Sequence, residues 1–248
     1  MQDEMSCMSY STNLQLDQLS DDVLGCILFS LYLSNRPQAV FSVMLVNKNF
    51  YCLSKKCVSS IHFLREQNNL TFDAWHRSFP KLQYLDLSMA KVLPGQAVQW
   101  ESLGLYGGGL KGLNLRNACV TNYECVFIAQ MTNLRFLDVS RPCSASSDSL
   151  SDEGVLQLAS LSHLCWLDMS CCGISNTTVE RLSTGAPLLS HLSVQCCMRL
   201  TDEACTYLSA LSLRSLDISG CWSLTAASID TLCSKRSVTH SCTCLIVM

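Results

Sequence analysis

Leu213-Arg-Ser-Leu-Asp-Ile-Ser-Gly-Cys-Trp-Ser-Leu-Thr225 decides how this chain is read. Its opening phrase, Leu213-x-x-Leu216-x-Ile218, ends in an apolar–polar–apolar triplet, the pattern of a short strand with one buried face. A small residue, Cys221, follows three positions later, and Thr225 is placed to cap a helix. The phrase recurs at Leu82-Leu85-Leu87, Leu110-Leu113-Leu115, Leu134-Leu137-Val139, Leu164-Leu167-Met169 and Leu189-Leu192-Val194, with a weaker copy at Val58-Ile61-Phe63. The copies begin at 58, 82, 110, 134, 164, 189 and 213, a mean period of about 26 residues.

Each strand is followed by a small residue (Ala90, Ala118, Pro142, Cys172, Cys197, Cys221) and then by a capped helical pattern. The caps read as Thr121, Ser151, Ser175, Thr201 and Thr225. The helices run through Val126, Ile128, Met131; Val155, Leu158, Leu161; Val179, Leu182; Ala204, Leu208, Leu211; and Ile229, Leu232. One strand and one helix cannot bury their apolar faces alone, so the copies must stack as a solenoid. The pattern resembles the leucine-rich repeat, specifically its cysteine-containing type, over residues 58–232. That resemblance implies an α/β fold, a curved parallel sheet on the concave side with helices on the convex side, and about seven repeats over 57–232. Residues 233–248 are expected to form a tail or an apolar cap.

The chain has 248 residues, 48% of them hydrophobic and 15% charged, which excludes disorder as a whole. Net charge is −3, which excludes a large nucleic-acid-binding face. The longest nearly unbroken apolar run, Val23 to Leu33, is about half of what a membrane helix needs, so no membrane span is expected. The acidic start lacks the basic region of a secretory signal. The 17 cysteines, an odd count, are therefore expected to be reduced thiols in the cytoplasm or nucleus. Cys172, Cys197 and Cys221 fall in one column, where a thiol serves as a small hydrophobe and weak donor. There is no Cys-x-x-Cys pair, and His240-Ser-Cys242-Thr-Cys244 is isolated, so no metal and no cofactor is expected.

Residues 1–15 are expected to be a flexible tail, and 16–56 three short helices. Ser20 caps the first, which has an acidic first turn (Asp21, Asp22). About forty residues bury too little surface to stand alone. This segment resembles the F-box motif: Leu19-Ser20-Asp21-Asp22-Val23-Leu24 stands where that family has Leu-Pro, acidic residues and a hydrophobic pair. Val46-Asn47-Lys48-Asn49-Phe50 stands at its closing motif. Ser20 replaces the usual Pro and Phe50 the usual Trp. Followed directly by cysteine-type repeats, the layout is that of the F-box/leucine-rich-repeat family. The resemblance implies a substrate receptor of an SCF-type ubiquitin ligase, docking on the Skp adaptor and, through it, the cullin and RING subunits. Leu19, Val23, Leu24, Ile27, Leu28, Val46 and Phe50 are the implied adaptor-binding set; the same residues also suit the inside of a small bundle. A stand-alone leucine-rich scaffold or inhibitor is the alternative.

Alternation along each strand predicts three outward columns. The first is Tyr84, Gly112, Phe136, Trp166, His191, Ser215; the second Asp86, Asn114, Asp138, Asp168, Ser193, Asp217; the third Ser88, Arg116, Ser140, Ser170, Gln195, Ser219. At about 4.8 Å per neighbour, six rows give a groove of roughly 24 Å. The expected target-binding residues are Tyr84, Asp86, Asn114, Arg116, Phe136, Asp138, Trp166, Asp168, His191, Gln195 and Asp217. Aromatics in an exposed column are typical interface anchors, although they also pack on one another. The acidic column suggests a basic or mixed peptide, unless it serves the strand turns. Catalysis is not expected: Gly107-Gly-Gly-Leu-Lys111-Gly precedes a strand and lacks the Ser or Thr of a phosphate loop, reading instead as a loop tolerant of positive φ. The histidines are scattered, without a nucleophile and base.

Overall fold

The computed structural model describes residues 60–62, 79–88, 100–118, 120–142, 150–237 and 243–245. Its contacts divide the chain into two compact units, Met1–Cys57 and Val58–Met248. The first unit, with the F-box-like segment and the seven residues expected to bind an adaptor, lies outside the described residues.

In the second unit, eight strands pair in chain order, all parallel: β1 (Ser60–His62), β2 (Tyr84–Asp86), β3 (Gly112–Asn114), β4 (Phe136–Asp138), β5 (Trp166–Asp168), β6 (His191–Ser193), β7 (Ser215–Asp217) and β8 (Thr243–Leu245). The connecting helices are α1 (Trp100–Tyr106), α2 (Asn122–Ile128), α3 (Asp152–Leu158), α4 (Asn176–Gly185), α5 (Asp202–Ala210) and α6 (Ala226–Ser237). Strand follows strand in register, so Leu85, Leu113, Leu137, Leu167, Leu192 and Leu216 form one row. All six are buried, as are the phrase's other apolar residues from Leu110 onward. Removing one such leucine side chain typically costs about 2–5 kcal/mol. The unit is the strand–turn–helix repeat that the leucine-rich phrase predicts.

The ladder continues past each strand. Asn117 N–H, Arg141 N–H, Cys171 N–H and Cys196 N–H donate to the Ser140, Ser170, Gln195 and Ser219 carbonyls of the next coil, at 2.7–3.1 Å. To turn there, the backbone takes positive φ at Asn117 (63°), Cys171 (60°), Cys196 (56°) and Gly220 (70°). The following residue fills the small slot. Cys172, Cys197 and Cys221 donate their thiols to the carbonyls of Val139, Met169 and Val194 in the preceding coil (3.7, 3.4 and 3.2 Å). Burial pushes the Cys172 and Cys221 thiols up to about 12 and about 11, and Cys197 higher still. These thiols are protonated packing groups, not nucleophiles.

The helix starts carry a second ladder. The first residues of α2–α5 are Asn122, Asp152, Asn176 and Asp202 in turn, and each accepts from the backbone N–H of the next coil's cap: Ser151, Ser175, Thr201, Thr225 (2.7–3.0 Å). Where that residue is Asn, its Nδ2 donates to the cap hydroxyl and to Glu153 or Glu203. Where it is Asp, its carboxylate accepts from the cap hydroxyl and from Thr178 or Ser228. Ser151 and Thr201 consequently make no side-chain cap to their own helices, whereas Thr121 forms a full capping box with Glu124.

The tail or cap expected from 233 carries an eighth strand: α6 runs to Ser237 and Thr243–Leu245 pairs with β7, where Ser241 and Cys244 stand in place of the phrase's usual leucines. Two expectations are corrected. In α2, Val126 is exposed and Cys125 takes the core position. Gly107–Gly109 is a 3₁₀ turn rather than a positive-φ loop. Gly107 is buried there, and a Cβ would stand 2.9 Å from the Met131 side chain.

Candidate target-binding face

The first outward column forms a strip of rings. Tyr84 is 46% exposed and its ring lies against Gly112, where a Cβ would come within 2.5 Å. Gly112 is itself buried under that ring. Phe136 and Trp166, neighbours in register across β4 and β5, stack face to face with centroids 4.2 Å apart and planes 16° apart. Both remain partly open to solvent. His191 continues the row, its Nδ1 2.8 Å from Ser190 Oγ. Phe136 and Trp166 thus pack on one another and leave an apolar face partly open to solvent. A stacked pair is worth about 0.5–1.5 kcal/mol beyond its area and spares a binding partner the cost of ordering it.

The second column is largely committed to turning the chain. Asp86, Asn114, Asp138, Asp168 and Asp217 each accept, through Oδ1, the backbone N–H two residues on (2.8–3.0 Å). At Asp138 and Asp168 the hydroxyls of Ser140 and Ser170 add a second bond to the same oxygen. Asp138 is only 6% exposed, so the expectation that it faces a target is corrected. Burial raises its carboxyl pKa against the opposing pull of the Ser140 hydrogen bonds. Asp86, Asp168 and Asp217 are half-buried. In the third column Ser140, Ser170 and Ser219 are buried, and Ser170 Oγ sits 2.8 Å from Ser193 Oγ across the row. Arg116 and Gln195 are exposed.

Among the described residues no helix is long and apolar enough to cross a membrane, and no group of three metal-ligating side chains gathers.

No protein-family model matches this chain, and no curated protein matches it. Solved structures do. The chain is similar to a structure described as the Rad7 and Elc1 complex of yeast, at 17% identity over 88% of this chain and 75% of that one, with a TM-score of 0.35. It is also similar to a TLR13–ssRNA13 complex, at 16% identity over 67% of this chain, with a TM-score of 0.32. It spans 32% of that second chain. Identities this low concern fold alone.

The feature that sequence reasoning missed is at the other end of the strands. Lys111 and Arg135, one residue ahead of β3 and β4, stand in equivalent positions of adjacent coils, joined by the Arg135 N–H to Lys111 carbonyl bond at 2.8 Å. Arg135 is exposed and Lys111 half-buried. The strand alternation stops one residue short of both, so no outward column included them.

Proposed function

We propose that this chain is the substrate-recognition subunit of an SCF-type ubiquitin ligase. In this reading residues 16–56 dock on the Skp adaptor through Leu19, Val23, Leu24, Ile27, Leu28, Val46 and Phe50. The repeats hold a target protein for ubiquitination on the face of β2–β7. The observation that carries the proposal is the order of parts: an F-box-like segment directly ahead of a repeat sheet whose outer face bears a preformed aromatic platform. A sheet with a solvent-facing ring strip offers a binding surface of the kind a receptor subunit uses. Tyr84, Phe136, Trp166 and His191 supply the apolar contact in this reading, with Arg116 and Gln195 at its margin.

Leu19→Ala with Ile27→Ala tests the first half: Skp copurification is lost while the circular dichroism spectrum is kept. Unchanged copurification by a folded variant refutes adaptor docking through this set. Phe136→Ala with Trp166→Ala tests the second half, since capture of cellular proteins quantified by mass spectrometry should fall with the melting temperature little changed. Recovery of cullin and ubiquitination of a captured protein separate a ligase receptor from a stand-alone scaffold.

A further inference from the structure

We propose that the occupant of the aromatic strip is an acidic peptide segment with a large apolar side chain, its apolar residue on the Phe136–Trp166 stack and its carboxylates toward Lys111 and Arg135. This rests on the target-binding reading above and names the chemistry of the target.

The argument is one of charge distribution along the strands. The stretches leading into β2–β7 are 79–84, 107–112, 131–136, 161–166, 186–191 and 211–215. Together they hold Lys81, Lys111, Arg135 and Arg214, the histidines 163 and 191, and not one Asp or Glu. The strands' other ends are acidic: the carboxylates of Asp168 and Asp217 stand there, and the helices that follow begin with Asp152-Glu153 and Asp202-Glu203. Arg116 and Arg199 lie on that side too, with Arg116 near Asp138 and Arg199 near Asp152. Among the described residues, one edge of the platform therefore carries cations and no carboxylate, while the other is mixed.

Lys111, Arg135 and Arg214 lie outside the helices, whose last turns from α2 to α5 contain no basic residue. Lys111 and Arg135 each immediately precede a platform position, Gly112 and Phe136, in coils separated by about 5 Å. A carboxylate one or two residues from an apolar anchor spans that distance in extended chain. The acidic column gives one oxygen of each side chain to a backbone turn, and its charge lies two residues past the platform, so an acidic segment is oriented with its carboxylates toward the opposite, cationic edge. A nucleic acid would need a denser basic field than one cation per coil on a chain of net charge −3.

Fluorescence anisotropy on the full chain tests this with four labelled probes: Glu-Glu-Trp-Glu-Glu, Lys-Lys-Trp-Lys-Lys, Glu-Glu-Ala-Glu-Glu and a single-stranded oligouridylate. The acidic Trp peptide should bind at least about ten-fold tighter than the others, and weaken between 0.05 and about 0.5 M salt as screening shortens. Lys111→Gln with Arg135→Gln should lower its affinity about three- to ten-fold at an unchanged melting temperature, as expected for partly exposed charge pairs. Equal or tighter binding of the basic peptide or the oligouridylate overturns the proposal. So does an unmeasurable acidic Trp peptide, or an affinity indifferent to the two Gln substitutions. The face reading survives those failures if Phe136→Ala with Trp166→Ala still loses cellular targets. It fails by itself if that variant retains them.

Discussion

Replacing Gly220 by Ala probes the positive-φ turn that follows β3, β5, β6 and β7. Gly220 sits at φ 70°, where an L side chain costs about 1–2 kcal/mol. Restricting the unfolded chain returns about 0.4–1 kcal/mol, leaving a backbone penalty of about 1 kcal/mol. The new Cβ would also stand 2.7 Å from Cys196 Sγ in the preceding coil. Cys196 is itself at φ 56° and has one side-chain torsion with which to yield, so relief costs about 0.5–1.5 kcal/mol. The expected loss is about 1.5–2.5 kcal/mol. Urea unfolding followed by circular dichroism reads it directly, and thermal melting should fall by roughly 3–10 °C. Cys196→Ala removes the sulfur and keeps the backbone strain. In that background Gly220→Ala should cost less, by a coupling of about 0.5–1.5 kcal/mol. An unchanged urea midpoint would show that the turn is not strained, and zero coupling would show that the two coils do not press on each other there.

The thiols of Cys172, Cys197 and Cys221 should resist iodoacetamide at pH 8 in the native protein and react after unfolding, read by intact mass; labelling at native rates would contradict their protonated, buried state. Asp138→Asn should leave stability within about 0.5 kcal/mol, because Asn114 makes the same turn one coil earlier, whereas Asp138→Leu strands the Ser140 N–H and should cost about 1–3 kcal/mol by urea titration. Asp152 is pulled upward by burial, but hydrogen bonds from Thr178 and Ser175 outweigh it and hold its pKa below the usual range. A depressed carboxylate contributes stability above its unfolded pKa of about 3.9, lost as pH falls through the lower folded value. Asp152→Ala should therefore flatten the stability-versus-pH curve below about pH 4 and leave its slope at pH 6–8 unchanged.

What could be read beforehand was whatever repeats as an apolar residue. Leucines at fixed spacing are each dictated by burial, so the strands and their register followed from them, as did the capped helix starts. What depended on a neighbouring coil could not be read. Asp138 and Asp168 occupy the same place in the phrase, yet one is buried and the other half open. Positive φ at Cys171 and Cys196 carried no signal, because cysteine does not favour it; Asn117 and Gly220 in the same column hinted at it. The eighth strand has Cys244 where β2–β7 have their buried leucine. The platform's rings were visible as residue types in a column, but their stacking and the cations beside them required coordinates.

The alternation of Asn122, Asp152, Asn176 and Asp202 gives the helix side of this protein a parity. An amide must meet a glutamate above it, and a carboxylate must meet a hydroxyl. Excising a single coil brings Asn122 opposite Ser175 and Thr177, with no carboxylate left to receive its second N–H; excising two restores the match at Thr201 and Glu203. Growth or shortening of such a chain by coil duplication would conserve these bonds only in pairs, and a designed length series should alternate in stability between odd and even members.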